Sequence, residues 1–302
     1  MHFLHSFFIC FFEVIKIKNS IISLIGNTPL IRLHEYEKNY GINANLHVKL
    51  EYLNPFGSIK DRAALQIISD AEEIGVLKHG NEIIEASSGN MGIALSAISN
   101  IRGYKCTIVM PENVSQRKIG LIKRYCANVV LTKGGMAESI KIAKEIASKE
   151  KSVFYCDQFN NISSVNAHLY STAQEIYSQI DRVDAIICGI GSGGTATGLY
   201  RYYKNTNTQV YGVLPLDNNY IEGIGAGFIP SILEVKIMDN IIQVSRDDAT
   251  KSCLEILKSE GILIGISSGA VLSACKILCQ GTDRYRNKNI VLIFADGGER
   301  YI

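Results

Sequence analysis

The stretch Ala185-Ile186-Ile187-Cys188-Gly189-Ile190-Gly191-Ser192-Gly193-Gly194-Thr195-Ala196-Thr197-Gly198 decides the fold. Four apolar residues run without a polar partner, as a strand buried on both faces does. A glycine-rich turn follows, and residues 194–204 then take up helical spacing. The same strand–turn–helix alternation recurs on both sides. Strands are expected at 46–51, 82–85, 105–110, 129–132, 153–156, 185–188, 209–214 and 289–294. Helices are expected at 58–73, 89–101, 116–125, 137–148, 163–180, 194–204, 246–259 and 267–279. Such alternation predicts an α/β protein with mostly parallel sheets flanked by helices. At 302 residues the chain sits near the length at which a single core divides, so two lobes are expected. In open sheets of this kind ligands bind beyond the carboxyl ends of the strands, so the turns between strand and helix are where chemistry belongs.

Composition narrows the function classes. Hydrophobic residues make up 47% and charged residues 20%, a globular balance, and a net charge of +2 argues against a nucleic-acid partner. Eight cysteines without a C-x-x-C pair read as reduced thiols and point to the cytoplasm; Cys275 and Cys279 lack flanking ligands, so no metal is expected. Residues 1–18 are apolar and Phe-rich, but Glu13 interrupts the run and it is too short to span a bilayer. They read as an arm that packs on a partner subunit or as an upstream extension, and no membrane is implied.

Four turns carry chemistry. In Asn54-Pro55-Phe56-Gly57-Ser58-Ile59-Lys60-Asp61-Arg62, Ser58 is expected to cap a helix and to place Lys60 in its first turn. The helix dipole would lower the pKa of that amine and favour attack on an aldehyde. Alone, Lys60 reads as a surface lysine; its companions decide. Ala86-Ser87-Ser88-Gly89-Asn90-Met91-Gly92 opens a helix with free amides and hydroxyls, a cradle for a carboxylate. In the stretch quoted first, the glycines close around an anion and Ser192, Thr195 and Thr197 add hydroxyls. The same loop also reads G-x-G-x-x-G, with Asp217 as a ribose acid, so a nicotinamide-dependent oxidoreductase is the rival; three hydroxyls favour a phosphate monoester. Finally, Gly265-Ile266-Ser267-Ser268-Gly269-Ala270 would set the Ser267 hydroxyl against a ring nitrogen. A neutral hydroxyl leaves that nitrogen unprotonated, which favours elimination and replacement at a β-carbon.

In this order the segments resemble the cysteine synthase and cystathionine β-synthase family of fold-type II pyridoxal 5′-phosphate enzymes. The match also includes Leu24-Ile25-Gly26-Asn27-Thr28-Pro29-Leu30, Asp157-Gln158-Phe159-Asn160-Asn161, Glu222-Gly223-Ile224-Gly225-Ala226-Gly227-Phe228-Ile229-Pro230 and Gly298-Glu299-Arg300-Tyr301. The resemblance implies that Lys60 forms the Schiff base and moves the α-proton, and that Asn90 bonds the cofactor's 3′-oxygen. It implies that Gly191, Ser192, Gly193, Gly194 and Thr195 hold the phosphate and Ser267 the pyridine nitrogen. Ser87, Ser88, Asn90, Met91, Gln158 and Glu222 would meet the substrate, which passes through an aminoacrylate. Residues 19–53 and 161–302 would form the larger, cofactor-binding lobe and 54–160 the smaller one, with 106–148 mobile and a hinge near 158–163. A homodimer is implied as well.

Two departures bear on substrate. Met91 stands where the family's loop carries Thr, and Glu222 where sulfide-using members carry Gln and cystathionine synthases Glu. The expected activity is cysteine synthesis from O-acetylserine or O-phosphoserine and sulfide. The alternative consumes cysteine, releases hydrogen sulfide and yields serine, lanthionine or cystathionine. A catalytically silent regulatory member is a further possibility.

Overall fold

The computed structural model describes residues 17–217 and 219–302. The expectation for residues 1–18 therefore falls almost wholly outside them. Among the described residues ten strands form two sheets: β1 (Leu30–Arg32), β2 (Asn45–Leu50), β3 (Glu82–Ala86), β4 (Lys105–Pro111), β5 (Asn128–Thr132), β6 (Val153–Tyr155), β7 (Ala185–Gly189), β8 (Gln209–Pro215), β9 (Ile241–Val244) and β10 (Asn289–Phe294). One sheet has the order β1-β2-β10-β7-β8-β9, the other β5-β4-β3-β6. All neighbours pair in parallel except β1 on β2. This is the two-lobed α/β architecture that the alternation predicts.

Each sheet is covered on both faces, and successive residues divide between them. In β7, Ala185 and Ile187 join the core beneath the Ile266–Cys279 helix, while Ile186 and Cys188 join the core that contains Leu199. In β3, Ile83 packs with Ile67, Leu95 and Ile98, and Ile84 packs with Ala143 on the opposite face. Strands buried on both sides are mostly apolar, which is why their sequences show no regular alternation.

The structure departs from expectation at the edges and in one helix. Strands β1 and β9 have only three and four residues and lie at the two edges of the larger sheet. The helix expected at 163–180 is broken by a π-helical turn at His168–Thr172, between α-helical pieces at Ser163–Ala167 and Ala173–Gln179.

A buried ionic network ties the lobes together. Arg62, on the Lys60–Glu73 helix, donates to Glu51 at 2.6 and 2.8 Å and to Glu175 at 2.6 and 2.7 Å. Lys49 pairs with Glu175 at 2.7 Å, and Glu51 accepts from Thr28 at 2.7 Å. Among the described residues no helix is long and apolar enough to cross a membrane, and no cluster of three metal-binding side chains occurs.

Candidate active site

The turns at the carboxyl ends of β2, β3, β7 and β10 converge on one cleft. Its wider part, about 250 Å³, is lined by Lys60, Ser87, Ser88, Gly89, Asn90, Met91, Gln158, Gly191, Ser192 and Glu222. A narrower recess of about 50 Å³ shares Lys60, Asn90, Gly191 and Ser192 and adds Gly193, Thr195, Ser267 and Asp296. Of the residues expected at the site, Thr197 lines neither part, and neither does Gly194. It packs against the Ser164 carbonyl, which a Cβ at that position would approach to 2.7 Å.

Lys60 is the first residue of its helix, but the cap position is Ile59 rather than Ser58. Ser58 still contributes, because its hydroxyl accepts the Lys60 amide at 3.2 Å. Burial, not the helix dipole, is the leading cause that lowers the Lys60 pKa, and the Asp296 carboxylate opposes it. The amine is therefore neutral over a wider pH range than an exposed lysine.

The loop after β3 is shaped from within. The Ser87 hydroxyl accepts the amides of Gly89 and Gly92 at 3.1 and 3.0 Å, which closes the turn. Asn90 is fixed at both ends of its amide, donating to Asp296 at 2.7 Å and accepting from Arg300 at 2.6 Å. One amide hydrogen is left to donate into the recess. Gln158 donates to the Ala86 carbonyl at 3.0 Å, and its backbone amide rests on Glu85 at 3.2 Å.

In the glycine loop after β7, Gly193 adopts φ +88°, the left-handed region open to glycine. A Cβ at Gly191 would come within 2.7 Å of the Gly223 carbonyl. The Thr195 hydroxyl lies 3.2 Å from His168 Nε2, and His168 Nδ1 lies 2.9 Å from the Thr172 hydroxyl. Thr197 corrects the reading of three anion-facing hydroxyls. It donates to the Ile232 carbonyl and accepts the Glu234 amide, both at 2.9 Å, so it pins the 232–234 loop instead.

Four residues to which the sequence alone gave no role also belong to the site. Asp296 is 1% exposed and stands two residues beyond β10, where strand-end chemistry belongs, so its position alone could have found it. Its Oδ2 accepts from Asn90 and, at 2.6 Å, from Tyr301. Lys118 and Tyr301 also line the wider cleft, and Lys118 pairs with Glu222. His168 braces Thr195 from behind. For these last three only tertiary contact supplies the reason. Asp217, the acid of the oxidoreductase reading, lies in an exposed turn and lines neither part of the cleft.

Residues 21–296 match the family of pyridoxal-phosphate dependent enzymes. The chain is 40% identical to cysteine synthase A of Escherichia coli strain K12, over 92% of each protein. Among solved structures it resembles O-ureido-L-serine synthase, with a TM-score of 0.89 and 31% identity over 95% of this chain and 94% of the other. It also resembles a hydrogen sulfide-producing enzyme from Fusobacterium nucleatum, with a TM-score of 0.88 and 36% identity over 95% of this chain and all of the other. The fold and the match define an enzyme that works with pyridoxal phosphate. The chain belongs to the pyridoxal-phosphate dependent enzyme family, and its cysteine synthase branch is where its relatives lie.

The donor set in the cleft fits that cofactor. A buried amine of lowered pKa suits an aldehyde, and the glycine loop with two hydroxyls at the start of the Gly194–Tyr203 helix suits a phosphate.

Proposed function

We propose that the chain catalyses β-replacement on a serine or cysteine derivative, with cysteine synthesis from an activated serine and sulfide as the leading reading. The observation that carries it is Lys60 at a helix start in one cleft with the 87–91 loop and the glycine loop. When bound, the cofactor supplies the electron sink that acidifies the substrate's α-proton. Lys60 would hold the cofactor through its amine, and its Nζ would carry the substrate's α-proton. Asn90 would donate to the cofactor's 3′-oxygen, Gly191, Ser192, Gly193, Gly194 and Thr195 would hold its phosphate, and the Ser267 hydroxyl would face the ring nitrogen. Ser88 and the amides of the 87–90 turn would receive the substrate carboxylate, with Gln158 beside it and Met91 packed below. Ser87 serves by keeping that turn closed. Residues 54–160 would act as the smaller lobe, and 106–148 would close over the cleft to exclude water. A cytoplasmic homodimer is part of this reading, supported by the free cysteines among the described residues and by exposed apolar side chains such as Ile229 and Val235.

A second reading, cysteine consumption with release of hydrogen sulfide, is favoured by Glu222, an acid in the wider cleft where a second amino acid would enter. One assay separates them. The protein is given O-acetylserine with sulfide, O-phosphoserine with sulfide, or cysteine alone, and sulfide and amino-acid products are measured. Net sulfide uptake is expected; faster release from cysteine would overturn the leading reading. Lys60→Ala is expected to abolish both turnover and the visible band of the lysine-bound cofactor. Turnover that survives would sink the mechanism.

A further inference from the structure

The helix that opens from the glycine loop lies directly on the segment 163–172. A Cβ at Gly194 would meet the Ser164 carbonyl at 2.7 Å, and one at Gly198 would meet His168 Cβ at 2.7 Å, so glycine at both positions permits the approach. Through this contact the π turn at His168–Thr172 reaches the anion loop. The Thr172 hydroxyl is 2.9 Å from His168 Nδ1, and His168 Nε2 is 3.2 Å from the hydroxyl of Thr195, which lines the recess. Neither His168 nor Thr172 lines either part of the cleft.

The partners fix the direction of both bonds. Thr172 is wholly buried, and among the described residues the only hydrogen-bond partner of its hydroxyl is Nδ1. If Nδ1 carried the ring hydrogen, the Thr172 hydrogen would be left unpaired in the core, a costly arrangement. Thr172 therefore donates and Nδ1 accepts. His168 is 2% exposed, and burial together with the Arg62 and Lys60 cations, opposed only by Glu175, keeps a second hydrogen off the ring. A neutral imidazole that accepts at Nδ1 carries its hydrogen on Nε2. Nε2 then donates to Thr195 Oγ1, and the Thr195 hydrogen is free of that contact.

We infer that Thr172 and His168 are positioning residues that make the Thr195 hydroxyl a one-way donor into the recess, where it meets a phosphate oxygen. The inference rests on the reading that the glycine loop holds the cofactor's phosphate. A hydroxyl accepts as readily as it donates, and with the opposite tautomer Thr195 would donate backwards to Nε2 and turn its lone pairs on the anion. The chain Thr172 to His168 to Thr195 removes that choice, and a hydrogen bond donated to a charged oxygen is one of the strong ones.

The first test reads the tautomer. The cofactor-loaded enzyme is labelled with nitrogen-15 in its histidines, and His168→Gln assigns the His168 signals by their disappearance. Ring nitrogens that carry a hydrogen and those that accept one differ widely in chemical shift. At neutral pH the hydrogen is expected on Nε2; a hydrogen on Nδ1, or on both nitrogens, would overturn the inference. The second test reads the consequence. The full chain is loaded with pyridoxal phosphate or with pyridoxal, which lacks the phosphate, and loss of the visible band on dilution gives each release rate. Thr172→Val removes the donor to Nδ1 without reaching the recess, and it should hasten release of pyridoxal phosphate by about threefold to tenfold while leaving pyridoxal unchanged. Thr172→Ser keeps the hydroxyl and should restore the original rate. Thr195→Val should hasten release of pyridoxal phosphate alone by about tenfold or more. If Thr172→Val left both rates unaltered, or raised both alike as a merely structural defect would, the positioning role would be overturned. If Thr195→Val raised both alike, the phosphate assignment itself would fail; a selective Thr195→Val effect with the hydrogen on Nδ1 would overturn the His168 chain only.

Discussion

Two buried carboxyls control how this site responds to pH. Asp296 raises the Lys60 pKa that burial lowers, so Asp296→Asn should move the midpoint for cofactor capture by Lys60 to lower pH. Stopped-flow measurement of the visible band across a pH series checks this; an upward shift would contradict the assigned electrostatics. Glu85, fully buried beneath the cleft floor, has its pKa pushed up to about 8, chiefly by burial. The folded protein then holds a proton on Glu85 between its ordinary value near 4.5 and about 8, whereas the unfolded chain has lost it. Stability from this group is therefore present below pH 4.5 and falls as pH rises through that window, by at most about 1.4 kcal/mol per pH unit. Glu85→Gln should flatten that slope in denaturant titrations at a series of pH values. Because Glu85 supports the Gln158 amide, the same substitution reaches the edge of the cleft.

At the scale of elements, Arg62 is the joint. It anchors the helix that carries Lys60 to the end of β2 through Glu51 and to the Ala173–Gln179 helix through Glu175, and the Glu51 side chain is wholly buried. Arg62→Met removes the charge that balances two carboxylates, and stability should fall by about 3–5 kcal/mol, the usual cost of stranding a buried charge. Chemical denaturation measures it, and a loss below about 1 kcal/mol would show that Lys49 alone can balance the pair. The π turn at His168–Thr172 has a similar local purpose. Burial drives the His168 pKa well below its ordinary value, so the ring is neutral and one nitrogen faces Thr195 while the other faces Thr172. The wider turn lets one histidine meet both hydroxyls, as π turns at functional sites often do.

Across the whole molecule, the cleft is lined from both sheets, and closure would be a movement of one sheet's surroundings over the other. If residues 106–148 are the mover, their backbone amides should exchange more slowly when cofactor and an amino-acid substrate are both present than with cofactor alone. Hydrogen-exchange mass spectrometry reports this, and protection confined to the loop after β3 would argue for a rigid lobe. The Lys118–Glu222 pair spans the same gap, so protection of the Gln116–Arg124 helix is the most telling part of that map.

The long elements were legible because their causes are local. Central strands such as β4 and β10 carry apolar runs, Ile108 to Met110 and Ile290 to Phe294, and the glycine loop needs backbone freedom at Gly193 wherever it is placed. Lys60, the 87–91 loop, the glycine loop and Ser267 could be assigned to one site because each follows a strand or opens a helix in the same chain order. The edge strands β1 and β9 escaped because three or four residues carry no periodicity. What the tertiary structure alone decided is the company each residue keeps. It turned Thr197 away from the anion site, closed Asn90 between Asp296 and Arg300, and set Lys118 from one lobe against Glu222 from the other. Opposite charges separated by about a hundred residues attract only once two sheets have folded and excluded the water between them, and no local pattern in the chain records that meeting.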